Sequence, residues 1–189
     1  NMIQMFRNCL NLKTLDLSGF DTSSLTDLGY MFGSCLNLTS LDISNFDTSN
    51  VTIMSSTFQN CRSLTSLDLS SFNTSNVTTM YKMFYDCQLL QNLDIKHFNV
   101  SNVIVATNFM YLSNDVLTTT QYDELIEAWA VQDVQPNVSW HFGNVKHTVE
   151  AIADWYSPRS VSSLSIINNK LVSIADSTAT FGAAQQIDN

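Results

Sequence analysis

Four cysteines, Cys9, Cys35, Cys61 and Cys87, recur at a step of 26 residues. Thiols pair as disulfides, hold metals or pack as small apolar groups. A zinc site needs ligands in close pairs, C-x2–4-C; this step gives a line instead of a tetrahedron. A disulfide needs Cα atoms roughly 4.4–6.8 Å apart, which stacked repeats would supply. Each cysteine, however, fills the same inward position, where the residue behaves as a small hydrophobe. Four free, buried thiols are therefore expected. Aspartates form a second column, Asp16, Asp42, Asp68 and Asp94. Carboxylates on segments ~4.8 Å apart repel by roughly 1 kcal/mol per pair in water, so hydrogen bonds or a cation must offset them. Calcium asks for six or more oxygens on a glycine-assisted loop, and no such loop is present. A third column reads Asp21, Asp47, Asn73, Asn99, and that exchange keeps an acceptor while dropping a charge, as a turn cap allows. Local hydrogen bonding is the reading adopted for both. His97, His141 and His147 form no ligand set, with His97 expected in solvent. G-x-S-x-G, P-loop and G-x-G-x-x-G motifs are absent. The chain reads as no enzyme, with no cofactor and no metal.

Position in these columns is set by the repeat. Phe6, Phe32, Phe58 and Phe84 keep the same step, as do Leu12, Leu38, Leu64 and Leu90. Within one unit Leu67 and Leu69 alternate with Ser66, Asp68 and Ser70, the pattern of a short strand. Asn73 to Asn76 reads as a turn. Val77, Met80, Met83, Phe84 and Cys87 then follow at helical spacing, with Ser75 or Asn76 as N-cap. Strand, turn, helix and return predict an α/β repeat: a right-handed, leucine-rich-repeat-like solenoid of short parallel strands and short helices. Four units, 5–30, 31–56, 57–82 and 83–108, make a repeat region over 1–112, and a decayed fifth begins at Phe109 with Ser113 in the cysteine column.

Composition narrows the function. Of 189 residues, 13% are charged and 44% are hydrophobic, with a net charge of −9. Apolar content is too high for disorder, and no run reaches the ~18 apolar residues of a spanning helix. The acidity argues against nucleic acid, which needs a basic face. The chain opens at Asn1 inside the repeat pattern, and is expected to be part of a longer protein with other modules on both sides.

Met31-Phe32, Cys35, Leu38, Leu41-Asp42-Ile43-Ser44, Phe46-Asp47-Thr48-Ser49-Asn50-Val51-Thr52 and Met54, repeated over residues 1 to about 110, resemble the BspA-type leucine-rich repeat of bacterial surface proteins. Leu117–Ala130, Val138–Trp140 and Gly143–Lys146 look like that family's capping segment. The resemblance implies a secreted or surface-exposed protein that binds host, matrix or neighbouring cells, and implies no catalytic residue. Similar repeats also look at home in phage structural proteins and in surface proteins of some protists.

The cap is expected over 113–158. Thr118 to Thr120 offer N-caps, Tyr122, Leu125, Ile126 and Trp129 share one helical face, and Asp123 and Glu124 fall in the first turn. Val138, Trp140 and Phe142 alternate as a strand, and Thr148 to Trp155 reads as a second helix stopped by Pro158. Residues 159–189 read as the start of a β-type domain or a linker, opening with a hairpin across Asn168-Asn169 and with a third strand at 179–187. The expected function is non-enzymatic adhesion or recognition at an extracellular surface, with protein or carbohydrate ligands on a host or neighbouring cell and no membrane insertion. The alternative is a structural or receptor-binding part of a phage virion. The candidate ligand face is Asp16, Asp42, Asp68, Asp94, Ser40 and Ser66. Tyr30, Tyr81 and Tyr85, on or near the helical side, are the aromatic alternative.

Overall fold

The computed structural model describes residues 2–113, 116–135 and 137–143, and the backbone of 163–167 and 170–174. Its regular elements are one helix, α1 (Thr119–Ala130), and three strands, β1 (Ser139–His141), β2 (Ser163–Ile167) and β3 (Lys170–Ile174). The expected α/β solenoid of strands and helices is thereby overturned: residues 2–113 contain neither a helix nor a strand. They are built of turns and short extended runs.

The helices fail for a backbone reason. Each unit places two residues four apart in the left-handed region: Tyr30 and Ser34 (φ 56° and 63°), Ser56 and Asn60 (57° and 59°), Lys82 and Asp86 (53° and 57°). Such residues cannot continue a right-handed helix and cost roughly 1–2 kcal/mol each. What they make possible is an alternation of hydrogen bonds. Tyr30, Phe32 and Ser34 N–H groups donate to the Ser55, Thr57 and Gln59 carbonyls of the next unit, at 3.0, 3.0 and 2.7 Å. The residues that alternate with them, Met31, Gly33 and Cys35, close turns onto the third residue back. Those successive turns bring Val77, Met80, Met83, Phe84 and Cys87 inward and fully buried. The spacing of three read as helical is a spacing of turns.

The strands fail at the aspartates. Asp68 Oδ1 takes the Ser70 N–H at 2.9 Å, and the Phe72 N–H turns back to the Leu69 carbonyl at 2.9 Å. The extended run around Leu67 is bent before it can pair as a ladder. Among the described residues of the repeat, the parallel β-pairing is confined to isolated bridges, Asp27 with Ile53, Ile53 with Thr79, and Thr79 with Val105.

Side-chain columns fill the interior of these layers. Phe6, Phe32, Phe58 and Phe84 stack at 5.7, 5.6 and 5.6 Å with rings within 7° of parallel, an offset-stacked arrangement. Phe109 ends the column, meeting Phe84 edge-on at 5.3 Å and 86°. It then packs on Trp140 at 5.1 Å and Phe142 at 6.0 Å, with Trp129 against Trp140 at 4.8 Å. In the fifth unit Phe109-Met110 reverses the Met-Phe order of Met83-Phe84, and that exchange turns the ring toward the cap.

Helix α1 buries Tyr122, Leu125, Ile126 and Trp129 as its spacing predicts, and a Thr118–Gln121 capping box starts it. With Thr118 as N-cap, Asp123 and Glu124 fall beyond the first turn, which holds no acidic residue. The expected hairpin forms between β2 and β3, with Ile167 opposite Lys170. β3 also pairs antiparallel with β1, Trp140 opposite Leu171, giving a sheet of order β1-β3-β2. The expected elements at 148–155 and 179–187, and His147, lie outside the described residues. No helix among the described residues is long and apolar enough to cross a membrane.

Candidate functional site

Asp16, Asp42, Asp68 and Asp94 are exposed, one per layer. Each Oδ1 accepts the backbone N–H two residues on, from Ser18, Ser44, Ser70 and Lys96 at 2.9, 3.0, 2.9 and 3.3 Å. Ser44 Oγ adds a bond to Asp42 at 2.7 Å. Hydrogen bonds from these serines hold the Asp16, Asp42 and Asp68 carboxyls below the ordinary range; the backbone N–H leads at Asp16 and Asp68, and the hydroxyl at Asp42. The charges of Asp68 and Asp16 push Asp42 the other way and lose. The four Oδ2 oxygens have no partner among the described residues. Ser40, Asp42, Ser66 and Asp68 share a shallow groove of about 520 Å³. Asp94 lies apart, in a cleft of about 160 Å³ against α1, beside the Lys96–Glu124 ion pair at 2.9 Å. The candidate residues thus form one exposed column, of which the middle two layers make a groove.

The second acidic column caps turns. Asp21, Asp47, Asn73 and Asn99 accept from Ser23, Ser49, Ser75 and Ser101 N–H at 2.9–3.0 Å. Asparagine does this as well as aspartate, which explains the exchange.

All four cysteines carry free thiols, Cys9 half-buried and the others buried. Their column is a row of donors. Sγ of Cys35, Cys61 and Cys87 donates to the carbonyls of Phe6, Phe32 and Phe58 at 3.1, 3.2 and 3.1 Å. Ser113 continues the row, its Oγ donating to the Phe84 carbonyl at 2.6 Å. Serine in the cysteine column keeps the bond and loses only the sulfur. Burial pushes the Cys35 thiol up to about 11 and Cys87 to about 12, and Cys61 well up. These are packing groups, not nucleophiles. Among the described residues no three His, Cys, Asp or Glu side chains come together as a metal set.

Three structural roles escaped the sequence reading. Buried Thr48 and Thr74 each bridge layers, Oγ1 donating to the Asn73 and Asn99 carbonyls at 3.0 Å and accepting the N–H of the same residue at 2.8 Å. Asn50, Asn76 and Asn102 side chains reach back to the Ser23, Ser49 and Ser75 carbonyls. Where the repeat ends, the cap substitutes glutamines. Gln135 donates to the Ser101 carbonyl at 2.9 Å, and Gln132 serves the Val100 N–H and the Phe98 carbonyl at 2.7 and 2.9 Å. His97, exposed as expected, reaches the Leu69 carbonyl with Nε2 at 3.0 Å, as Asn45 reaches Leu17 at 3.1 Å.

The aromatic alternative lies on the turn side, which carries no helix. Lys82 Nζ sits over the Tyr81 and Tyr85 rings at 5.2 and 4.7 Å, and Tyr85 meets the exposed Tyr111 at 5.8 Å. Arg7 lies over Tyr30 at 4.7 Å. Lys82 and Tyr111 were not singled out from sequence, although Tyr111 stands in the Tyr85 column.

Fold and surface together define a repeat-built scaffold that displays regular polar columns on turn-built layers. Among known families, the one described as a Mycoplasma protein of unknown function, DUF285, matches residues 1–122 and 68–155. The matches together span 1–155 of the 189 residues, and the chain belongs to that family. No curated protein and no solved structure matches it.

Proposed function

We propose that the protein is a non-enzymatic recognition module of BspA type, acting at an extracellular surface and binding protein or carbohydrate ligands of a host or neighbouring cell. The observation that carries this reading is the oriented carboxylate column. At Asp16, Asp42, Asp68 and Asp94 one oxygen is fixed by a local hydrogen bond and the other faces solvent, beside the exposed Ser40 and Ser66 hydroxyls. Acceptors held in one orientation lose little entropy on binding. The column has no aromatic or arginine anchor of the kind that dominates tight interfaces. Single contacts are therefore weak, and useful binding comes from many copies at one surface.

The test uses beads coated densely with the protein, applied to a glycan array and to immobilised extracellular-matrix proteins. Binding is expected for the wild type and lost on joint Asp42→Ala and Asp68→Ala substitution. Binding that survives those changes but is lost with Tyr85→Ala would move the ligand to the turn side and refute the carboxylate column.

A further inference from the structure

We propose that Lys82 and Tyr111, with Tyr85 between them, form a binding site on the turn side for an acidic oligosaccharide, one whose sugars carry a carboxylate. The site is separate from the carboxylate column, whose own charge would repel such a ligand. An acidic glycan is therefore a ligand of this site and no test of that column.

The side chains of the site take no part in stacking the layers. At the step of 26, the positions of Tyr81, Lys82 and Tyr85 hold Ser55, Ser56 and Gln59 one layer earlier, and Gly29, Tyr30 and Gly33 in the layer before that. The same backbone bonds join all of these layers. The Tyr30 N–H donates to the Ser55 carbonyl at 3.0 Å, Ser56 to Tyr81 at 2.7 Å, and Lys82 to Thr107 at 3.2 Å. Stacking thus asks for no aromatic or basic side chain here, yet the fourth layer sets two tyrosines around a lysine.

Lys82 is a cation without a counter-charge. Its Nζ lies 4.7 Å from the Tyr85 ring centroid and 5.2 Å from that of Tyr81, drawn by the negative ring faces. The nearest acid in sequence, Asp86, is buried and spent. Its Oδ2 accepts from Arg62 Nε at 2.7 Å and pairs with Nη2 at 2.7 Å, and its Oδ1 accepts from Gln88 Nε2 at 2.8 Å. No carboxylate among the described residues pairs with Lys82. An ammonium held between two rings has lost part of its freedom in advance, and gives up less on taking an anion.

Tyr111 supplies the flat partner. Its ring is 41% exposed, lies 5.8 Å from that of Tyr85, and is braced at right angles by the His141 ring at 5.0 Å. The hydroxyls of Tyr81, Tyr85 and Tyr111 have no hydrogen-bond partner among the described residues. This chemistry selects the occupant. A protein ligand anchors its large side chains in desolvated pockets, and an exposed ring is no pocket. A pyranose has a face of C–H groups, whose partial positive charge matches the negative face of an aromatic ring, and its hydroxyls meet those of the tyrosines. The unpaired lysine favours a sugar that brings a carboxylate. Nucleic acid also stacks on tyrosine, but its run of phosphates would meet a chain of net charge −9 with one unpaired cation at the site.

The test titrates the full chain with two acidic probes, trigalacturonate and sialyllactose, and with their neutral counterparts, methyl-esterified trigalacturonate and lactose, following the tyrosine ring signals by NMR. The acidic probes should shift the Tyr85 and Tyr111 rings and bind about tenfold more tightly than the neutral ones. Lys82→Gln should bring acidic binding down to the neutral level and leave neutral binding unchanged, and Lys82→Arg should keep both. Tyr111→Ala should weaken both classes about tenfold; should it lower the melting temperature, Lys82→Gln still decides. The double variant Asp42→Ala, Asp68→Ala should keep acidic binding, so this site and the carboxylate column fail separately. Equal affinity for acidic and neutral probes, indifference to Lys82→Gln, or no binding would overturn the proposal. So would a tetraglutamate peptide or an oligothymidylate that binds as tightly as the acidic probes, since charge or stacking alone would then suffice.

Discussion

Replacing Phe58 with alanine removes a ring that is fully buried and stacked at 5.6 Å on both Phe32 and Phe84. Three losses combine: transfer of the ring to water, two ring contacts worth ~0.5–1.5 kcal/mol each, and a cavity that the neighbouring layers, tied by their hydrogen bonds, cannot close. Phenylalanine-to-alanine changes at such sites cost ~3–5 kcal/mol. Phe6 is half-buried and has one stacked neighbour, so Phe6→Ala should cost about half as much. Exposed Ser66→Ala should stay within ~0.5 kcal/mol of wild type. Urea unfolding, followed by fluorescence at constant m, reads all three. Equal costs at Phe6 and Phe58, or a Phe58 cost within ~1 kcal/mol of zero, would refute the stacked column.

Gly143 has φ +69°, and a Cβ there would run into the Ser113 carbonyl; Gly143→Ala should destabilise the cap by ~1–3 kcal/mol, seen as a lower melting temperature. A thiol reagent at pH 8 should label Cys9 first in the native protein, with Cys35, Cys61 and Cys87 reacting only on unfolding, and all four should react in denaturant without reductant; fewer than four would mean disulfides. Hydrogen bonds from the serine two residues on hold Asp16, Asp21, Asp42, Asp47 and Asp68 below the ordinary carboxyl range. Their folded pKa values are depressed, so their contribution is present above the unfolded value of ~3.9 and is lost as pH falls through the folded one. Stability should hold down to about pH 5 and fall below about pH 4. The double variant Asp42→Asn, Asp68→Asn, which keeps the acceptor, should fall less steeply, and an unchanged slope would contradict this.

Side-chain columns were legible in the sequence, because a 26-residue step puts like residues in like places whatever the backbone does. The cap helix was legible too, since Tyr122, Leu125, Ile126 and Trp129 share a face and Thr118 precedes them. The backbone of the repeat was not. Val77, Met80, Met83, Phe84 and Cys87 bury the same side chains whether a helix or a chain of three-residue turns carries them. Of the residues that decide between the two, Lys82 is not of a type expected at positive φ; the column of Asn8, Asn60 and Asp86 is of a type enriched there, a signal the sequence reading did not use. Asp68 was read as locally hydrogen-bonded at the end of a strand; the bond from the Ser70 N–H is there, but its consequence, a bend that ends the extended run, was not drawn. The cap glutamines were hidden because Gln132 and Gln135 lie outside the repeat they complete.

Amide hydrogen exchange and coupling constants over residues 77–87 test the turn-built layer most directly, since the display of the polar columns depends on it. The N–H groups of Met80, Lys82, Phe84 and Asp86, which donate to the next layer, should be protected, and the couplings at Lys82 and Asp86 should report positive φ. Contiguous helical couplings and helical medium-range contacts from Val77 to Cys87 would contradict the account.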